Sequence, residues 1–210
     1  MKSFAVVISA PSGVGKTTVA RKLVEASDQL LFSVSATTRE PRPGERPGSD
    51  YHFVRRADFE AMIENGELLE WAEVHGELYG TPSLNLEQAE RVGSLLILDI
   101  DVQGARQIGE NHPDSVTIFL LPPSFAALMQ RLRARGSEGP KELRRRLLTA
   151  KAELAEIDAF RYVVVNDELD DTVREIQAII TAERRRLDRQ DDGARALSRD
   201  LLAALEEWDS

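Results

Sequence analysis

The chain has 210 residues, 42% of them hydrophobic and 30% charged, and 36 acidic against 27 basic residues leave a net charge of −9. That is enough apolar sequence for one sizeable core, with no low-complexity tract, and the acidity argues against a general nucleic-acid or membrane-surface binder. With no cysteine and three histidines, disulfides, thiolate catalysis, cysteine-ligated zinc and a histidine metal cluster all fall away. No apolar run reaches the length of a membrane span or resembles a signal segment, so a cytoplasmic protein without a membrane partner is expected.

In chain order, residues 4–9 read as a buried strand, about 16–26 as a helix, and 31–36 as a second short strand. Beyond Thr37 the alternation stops. Residues 39–49 hold three prolines and two glycines and form a loop. Strand-like pieces follow at 51–54, 68–74 and 77–79, with one helix between them that sets Phe59, Met62 and Ile63 on one face and stops at Gly66. The pattern resumes with a near-continuous apolar run at 95–100 and another at 116–121, which Pro122 and Pro123 close. Ser124 then caps a helix whose Phe125, Leu128, Met129 and Leu132 recur at helical spacing. A last core strand at 161–165 precedes helices over about 170–189 and 194–208. Alternating strands and helices of this kind predict an α/β core, a parallel sheet flanked by helices, carrying an inserted α+β subdomain.

The first strand runs straight into Ala10-Pro11-Ser12-Gly13-Val14-Gly15-Lys16-Thr17, a phosphate-loop (P-loop) pattern with alanine in place of its first glycine. Glycines let backbone N–H groups turn inward around phosphate oxygens, and the helix starting near Lys16 aims its positive end at them. Lys16 reaches the β- and γ-phosphates, and the Thr17 hydroxyl ligates magnesium. A nucleoside triphosphate is therefore the expected ligand. The acid near magnesium should end a second core strand, where Asp99 and Asp101 stand; the lesser reading of Asp101 is a helix cap alone.

Further blocks make the chain recognisable: Ser35-Ala36-Thr37-Thr38-Arg39-Glu40-Pro41-Arg42-Pro43-Gly44-Glu45, Asp50-Tyr51-His52-Phe53-Val54, Leu78-Tyr79-Gly80-Thr81, Leu98-Asp99-Ile100-Asp101-Val102-Gln103-Gly104, Arg135-Gly136 and Val165-Asn166-Asp167. In this order and spacing, from about residue 4 to about 187, they resemble the guanylate kinase family. The resemblance implies a P-loop NTPase core (residues 1–34, 87–130 and 147–210), a GMP-binding subdomain (35–86) and an Arg-rich lid (131–146). It also implies phosphoryl transfer from MgATP to GMP, with dGMP a second candidate acceptor, and leaves monomer or homo-oligomer open.

By that resemblance Arg39, Arg42, Tyr51 and Tyr79 hold the GMP phosphate, a role that guanidinium forks and phenol hydroxyls suit. Taken singly, the arginines read as solvated loop charges and the tyrosines as core residues with wet tips. Glu70 falls in a half-buried strand with Leu69, Trp71 and Val74, where an inward acid needs a partner. The resemblance supplies guanine, read by Glu70, Ser35 and Thr81, with Asp101 in the same GMP-binding set; on alternation alone Glu70 could also face outward. Residues 131–146 carry seven basic and two acidic residues. By resemblance Arg131, Arg135 and Arg146 join Lys16 as catalytic groups, the remaining arginines being a solvated helix face. Gly139-Pro140 departs from the family's usual polar residues there, which bears on the lid's stiffness. The ATP site implied comprises Ala10 to Thr17, Thr18 and Asn166, Asn166 being otherwise a turn residue. Magnesium would be held by Thr17 and Asp99, directly or through water. His52 and His75 carry no assigned role. The rivals are a kinase for another phosphate acceptor and a non-catalytic scaffold module; Glu70 with Ser35 speaks against the first, and Lys16 with the lid arginines against the second.

Overall fold

The computed structural model describes residues 4–74, 76–134, 140–190 and 192–208. Strand β1 (Ala5–Ser9) leads into helix α1 (Lys16–Glu25), then β2 (Leu30–Phe32), β3 (Ala36–Thr37), β4 (His52–Phe53), α2 (Arg56–Glu64), β5 (Leu68–Val74) and β6 (Glu77–Pro82). The chain continues with α3 (Ser83–Arg91), β7 (Leu95–Asp99), α4 (Val102–Asn111), β8 (Val116–Leu121), α5 (Phe125–Ala134), α6 (Pro140–Ala155), β9 (Tyr162–Val165), α7 (Leu169–Arg185) and α8 (Asp192–Trp208).

Strands β2-β7-β1-β8-β9 form a parallel sheet. Helices cover both of its faces, which is why β1, β7 and β8 are continuous apolar runs rather than alternating ones. Val6, Ile8, Ile97, Ile118 and Leu120 face Val19 and Leu23 of α1, Leu128 and Leu132 of α5, and Ile176 and Ile180 of α7. On the other face Val7, Leu96 and Leu98 meet Ala89 of α3 and Ala105 and Ile108 of α4. The expected Ser124 cap is present, its Oγ accepting from the Ala127 N–H at 3.1 Å. Phe125, expected on the apolar face of that helix, is instead 71% exposed.

The insert is a second sheet, β4-β3-β6-β5, with β3 antiparallel to β6 and parallel to β4. Its small core is Phe59, Ala36 and Leu78, with Met62, Ile63 and Leu68 against them. Truncating fully buried Phe59 to alanine should cost about 3–5 kcal/mol. The single strand expected at 31–36 is two strands in two sheets. Leu30–Phe32 pairs with β7, whereas Ala36–Thr37 pairs with β6 and β4. The crossing between them is pinned by Asn85, whose Nδ2 donates to Ser33 Oγ (2.9 Å) and to the Val34 carbonyl (3.0 Å). Helix α6 begins at Pro140, the first helical position, where a missing N–H forfeits no hydrogen bond. Among the described residues no helix is long and apolar enough to cross a membrane.

Candidate active site

Gly13 and Gly15 sit at φ 91° and 97°, backbone conformations that side-chain-bearing residues rarely adopt, and so turn the P-loop between β1 and α1. A Cβ on Gly13 would come within 2.8 Å of Leu132. Parallel pairing sets Ile8 against Asp99, which delivers the end of β7 to the loop. There Thr17 Oγ1 donates to Asp99 Oδ2 at 2.5 Å, and Lys16 Nζ lies 3.2 Å from Asp99 Oδ1 while donating to the Ile100 carbonyl at 2.5 Å. Among the described residues no cluster of three His, Cys, Asp or Glu side chains could hold a metal unaided. A hydroxyl and a carboxylate side by side do suit magnesium that takes its other ligands from phosphates and water.

The loop is braced from behind. The Val14 carbonyl accepts from Asn166 Nδ2 at 2.7 Å and from Arg131 Nη1 at 3.1 Å, and the same Arg131 nitrogen donates to the Asn166 carbonyl at 2.9 Å. Thr172 Oγ1 donates to Asn166 Oδ1 at 3.1 Å, fixing which way that amide points. Asn166 is buried, and Arg131 lies under the loop rather than along the cleft. From α6, Glu153 Oε2 accepts the Ser12 N–H at 2.8 Å, and burial raises its carboxyl above the ordinary range despite that bond. Neither the Glu153 brace nor Thr172 is legible in local sequence, because their partners lie 141 and six residues away with no motif joining them.

Across the cleft, Glu70 is 4% exposed. It accepts from Thr81 Oγ1 at 2.7 Å and presses on Gly104, where a Cβ would come 2.2 Å from Glu70 Oε2. Burial pushes its carboxyl up to about 7; the Thr81 hydrogen bond works against this, the Asp101 charge with it. Asp101 caps α4, its Oδ1 accepting from the Gly104 N–H at 2.9 Å, so the capping role is present, and the residue also lines the cleft. Arg39 forms a two-pronged pair with Glu45 (3.0 and 2.9 Å), and its Nε donates to Tyr79 OH at 3.1 Å. Burial opposes the Arg39 charge, but Glu45 and Tyr79 more than offset it and hold its pKa above the usual value. Its guanidinium lies 5.4 Å from the centre of the Tyr51 ring. Burial, with the Asp99 charge nearby, pushes the Tyr51 phenol up to about 12, so it remains a donor at any physiological pH.

These groups share one cleft of about 580 Å³. The P-loop from Ala10 to Thr17, Asp99 and Asp101 form its floor, Ser35, Arg42, Tyr51, Glu70 and Tyr79 one wall, and Arg146, Thr149 and Glu153 of α6 the other. Arg39 and Thr81 stand just behind the wall, Thr18 is exposed on α1, and Arg135 lies outside the described residues, as do Gly136, Gly139 and His75.

Residues 2–183 match the family model described as "Guanylate kinase". The chain is 47% identical over 186 residues to a guanylate kinase of Myxococcus xanthus, covering 88% of this chain and 89% of that one. It is 49% identical over 179 residues to one of Nocardia farcinica, covering 84% and 93%. Among solved structures, guanylate kinase from Anaplasma phagocytophilum superposes with a TM-score of 0.76 at 39% identity, covering 93% of each chain.

Proposed function

The chain belongs to the guanylate kinase family, phosphotransferases that make GDP and ADP from GMP and ATP, and we propose that its long cleft carries out this transfer with ATP along the P-loop and GMP against the insert. The observation that carries the reading is that one cleft is lined at one end by the P-loop and at the other by Ser35, Tyr51, Glu70 and Tyr79. Residues 35–86 form the GMP subdomain, 131–146 the lid, and the remainder the core.

Guanine offers N1–H and N2–H together, and the Glu70 carboxylate can accept both. Thr81 holds that carboxylate from behind, and the Ser35 hydroxyl donates to O6. Arg42, Tyr51 and Tyr79 take the GMP phosphate, with Arg39 held ready by Glu45. On the other side, inward N–H groups of the loop and Lys16 hold the β- and γ-phosphates. Magnesium, held with ATP by Thr17 and Asp99, would neutralise charge on those phosphates when bound. An oxygen of the GMP phosphate then attacks the γ-phosphorus as the bond to the β–γ bridging oxygen breaks, and ADP departs. The transition state is loose, so alignment and charge do the work. Lys16 and the lid arginines, Arg146 from α6 and Arg135, meet charge on the migrating group, while Arg131 and Asn166 keep the loop in shape. No side chain need act as base, because a phosphate oxygen is already a competent nucleophile. Closure of the lid would keep water from taking the phosphoryl group. The enzyme works in the cytoplasm, where both nucleotides are found.

Product analysis with MgATP and each of GMP, dGMP, AMP, CMP and UMP tests this. GDP is the expected ribonucleotide product; AMP turned over as fast as GMP, or no transfer at all, would contradict it.

A further inference from the structure

Helix α8 lies past the family match, which ends at residue 183. None of its residues is fully buried: Leu197, Leu201, Leu205 and Trp208 are 60%, 57%, 62% and 84% exposed. At about 100° per residue these four fall on one face, within about 40° of Leu201, and Ala194, Ser198 and Ala204 fall within about 60° of it. A lone helix of this length is marginal in water, and an unbroken leucine stripe ending in tryptophan is a face made to be covered.

We propose that the cover is a second copy of the same helix, packed antiparallel about a dyad at Leu201. The order of large and small residues is self-complementary only in that direction. Leu197 falls opposite Ala204 of the partner subunit, Leu205 opposite the partner's Ser198, Trp208 opposite the partner's Ala194, and Leu201 opposite itself. Around the central Leu201 pair, each large side chain thus meets a small one, which lets two helices approach closely. Charge runs the same way. Arg195 and Arg199 stand in the first half of the helix with Asp192 and Asp200, and Glu206 and Glu207 in the second, so antiparallel pairing sets a neutral half against the acidic one and opposes the two helix dipoles. A parallel pair would stack Trp208 on the partner's Trp208, leave Ala194 over the partner's Ala194, and align both acidic ends. Such a contact is isologous and closes at two copies.

The test is the mass of the full chain in solution, by light scattering across a concentration series, with Leu201→Asp as the breaking variant. The native chain should reach twice its monomer mass at roughly 100 µM, where even a micromolar dimer is nearly saturated. Leu201→Asp should remain monomeric with phosphotransfer unchanged, its melting temperature lacking only the concentration-dependent rise that dimerisation gives the native chain. A native chain that stays monomeric throughout overturns the proposal. So does a Leu201→Asp variant that melts lower without changing mass, since the helix would then cover its own core. Direction is read by disulfides in this cysteine-free chain. Ala204→Cys alone should not cross-link, because an antiparallel pair holds the two sites about 9 Å apart, beyond disulfide reach. Leu197→Cys/Ala204→Cys should link two chains completely. Cross-linking of Ala204→Cys alone would mean a parallel pair and refute the antiparallel arrangement.

Discussion

Glu70 ties stability to recognition in opposite directions. Its carboxyl stands at about 7 in the folded protein against 4.5 for an ordinary glutamate, because burial disfavours the charge. Below pH 4.5 the group is protonated folded or unfolded and carries no penalty. From 4.5 to 7 the unfolded chain ionises while the folded one keeps its proton, so stability falls as pH rises; above 7 the whole penalty is in place. At about 1.4 kcal/mol per pH unit over roughly 2.5 units, that is on the order of 3 kcal/mol. Glu70→Gln keeps shape and an acceptor for Thr81 Oγ1 but removes the charge, while its new amide hydrogens need partners that cost part of the gain. We therefore expect Glu70→Gln to be more stable than the native protein at pH 8, by about 1–3 kcal/mol, with the difference shrinking towards zero near pH 5. Urea unfolding at the two pH values measures it. Binding should move the other way: the variant binds GMP more weakly, and native GMP affinity should weaken about tenfold per unit below pH 7. The acceptor phosphate also titrates near pH 6, so the Glu70→Gln profile serves as the control. A variant less stable than native at pH 8, or a gain independent of pH, would refute this account of Glu70.

Lys16→Ala should lower kcat by several orders of magnitude without unfolding the protein, since a partly exposed lysine contributes little to stability; circular dichroism alongside the kinetics checks both. Arg42→Ala should act mainly on KM for GMP and Arg146→Ala mainly on kcat, because in the proposed arrangement the first meets a ground-state dianion and the second the migrating group; the reverse split in steady-state kinetics would exchange their roles. Gly104→Ala should drive the Glu70 carboxylate out of place, as its Cβ would come 2.2 Å from Oε2, raising KM for GMP at least tenfold with ATP binding unchanged by calorimetry.

The P-loop was legible because its chemistry is local: eight consecutive residues, two of them glycines at positive φ, with a strand before and a helix after. The apolar runs of β7 and β8 were legible for the same reason. The proposed guanine wall was harder. Local pattern favours Leu69 and Trp71 as the inward pair of β5, yet Glu70 and Ala72 are buried and Trp71 is 40% exposed. The inward face of β5 is chosen by docking on α4, where Gln107 Nε2 donates to the Trp71 carbonyl at 2.7 Å, and no spacing within β5 encodes that. Family resemblance, not alternation, pointed to Glu70. Helix α3 escaped notice because it buries only Ala89, and the Glu153 brace because it joins residues 141 apart. Periodicity also cannot show that neighbouring residues pair into different sheets, which is what separates Phe32 from Ala36.

The claim that Glu70 and Ser35 choose the base is tested most directly by the ratio of kcat/KM for GMP to that for AMP, in the native enzyme and in Glu70→Gln/Ser35→Ala. Adenine sets a lone pair at N1 against the carboxylate and has no N2 amine, so both groups would be buried and unpaired. Sites that pair buried polar groups reject such an analogue by roughly ten-thousandfold, more than pocket shape alone achieves. The native ratio should be of that size, and it should collapse in the double variant through loss of GMP activity while KM for ATP holds. A double variant that keeps the native ratio would contradict the assignment.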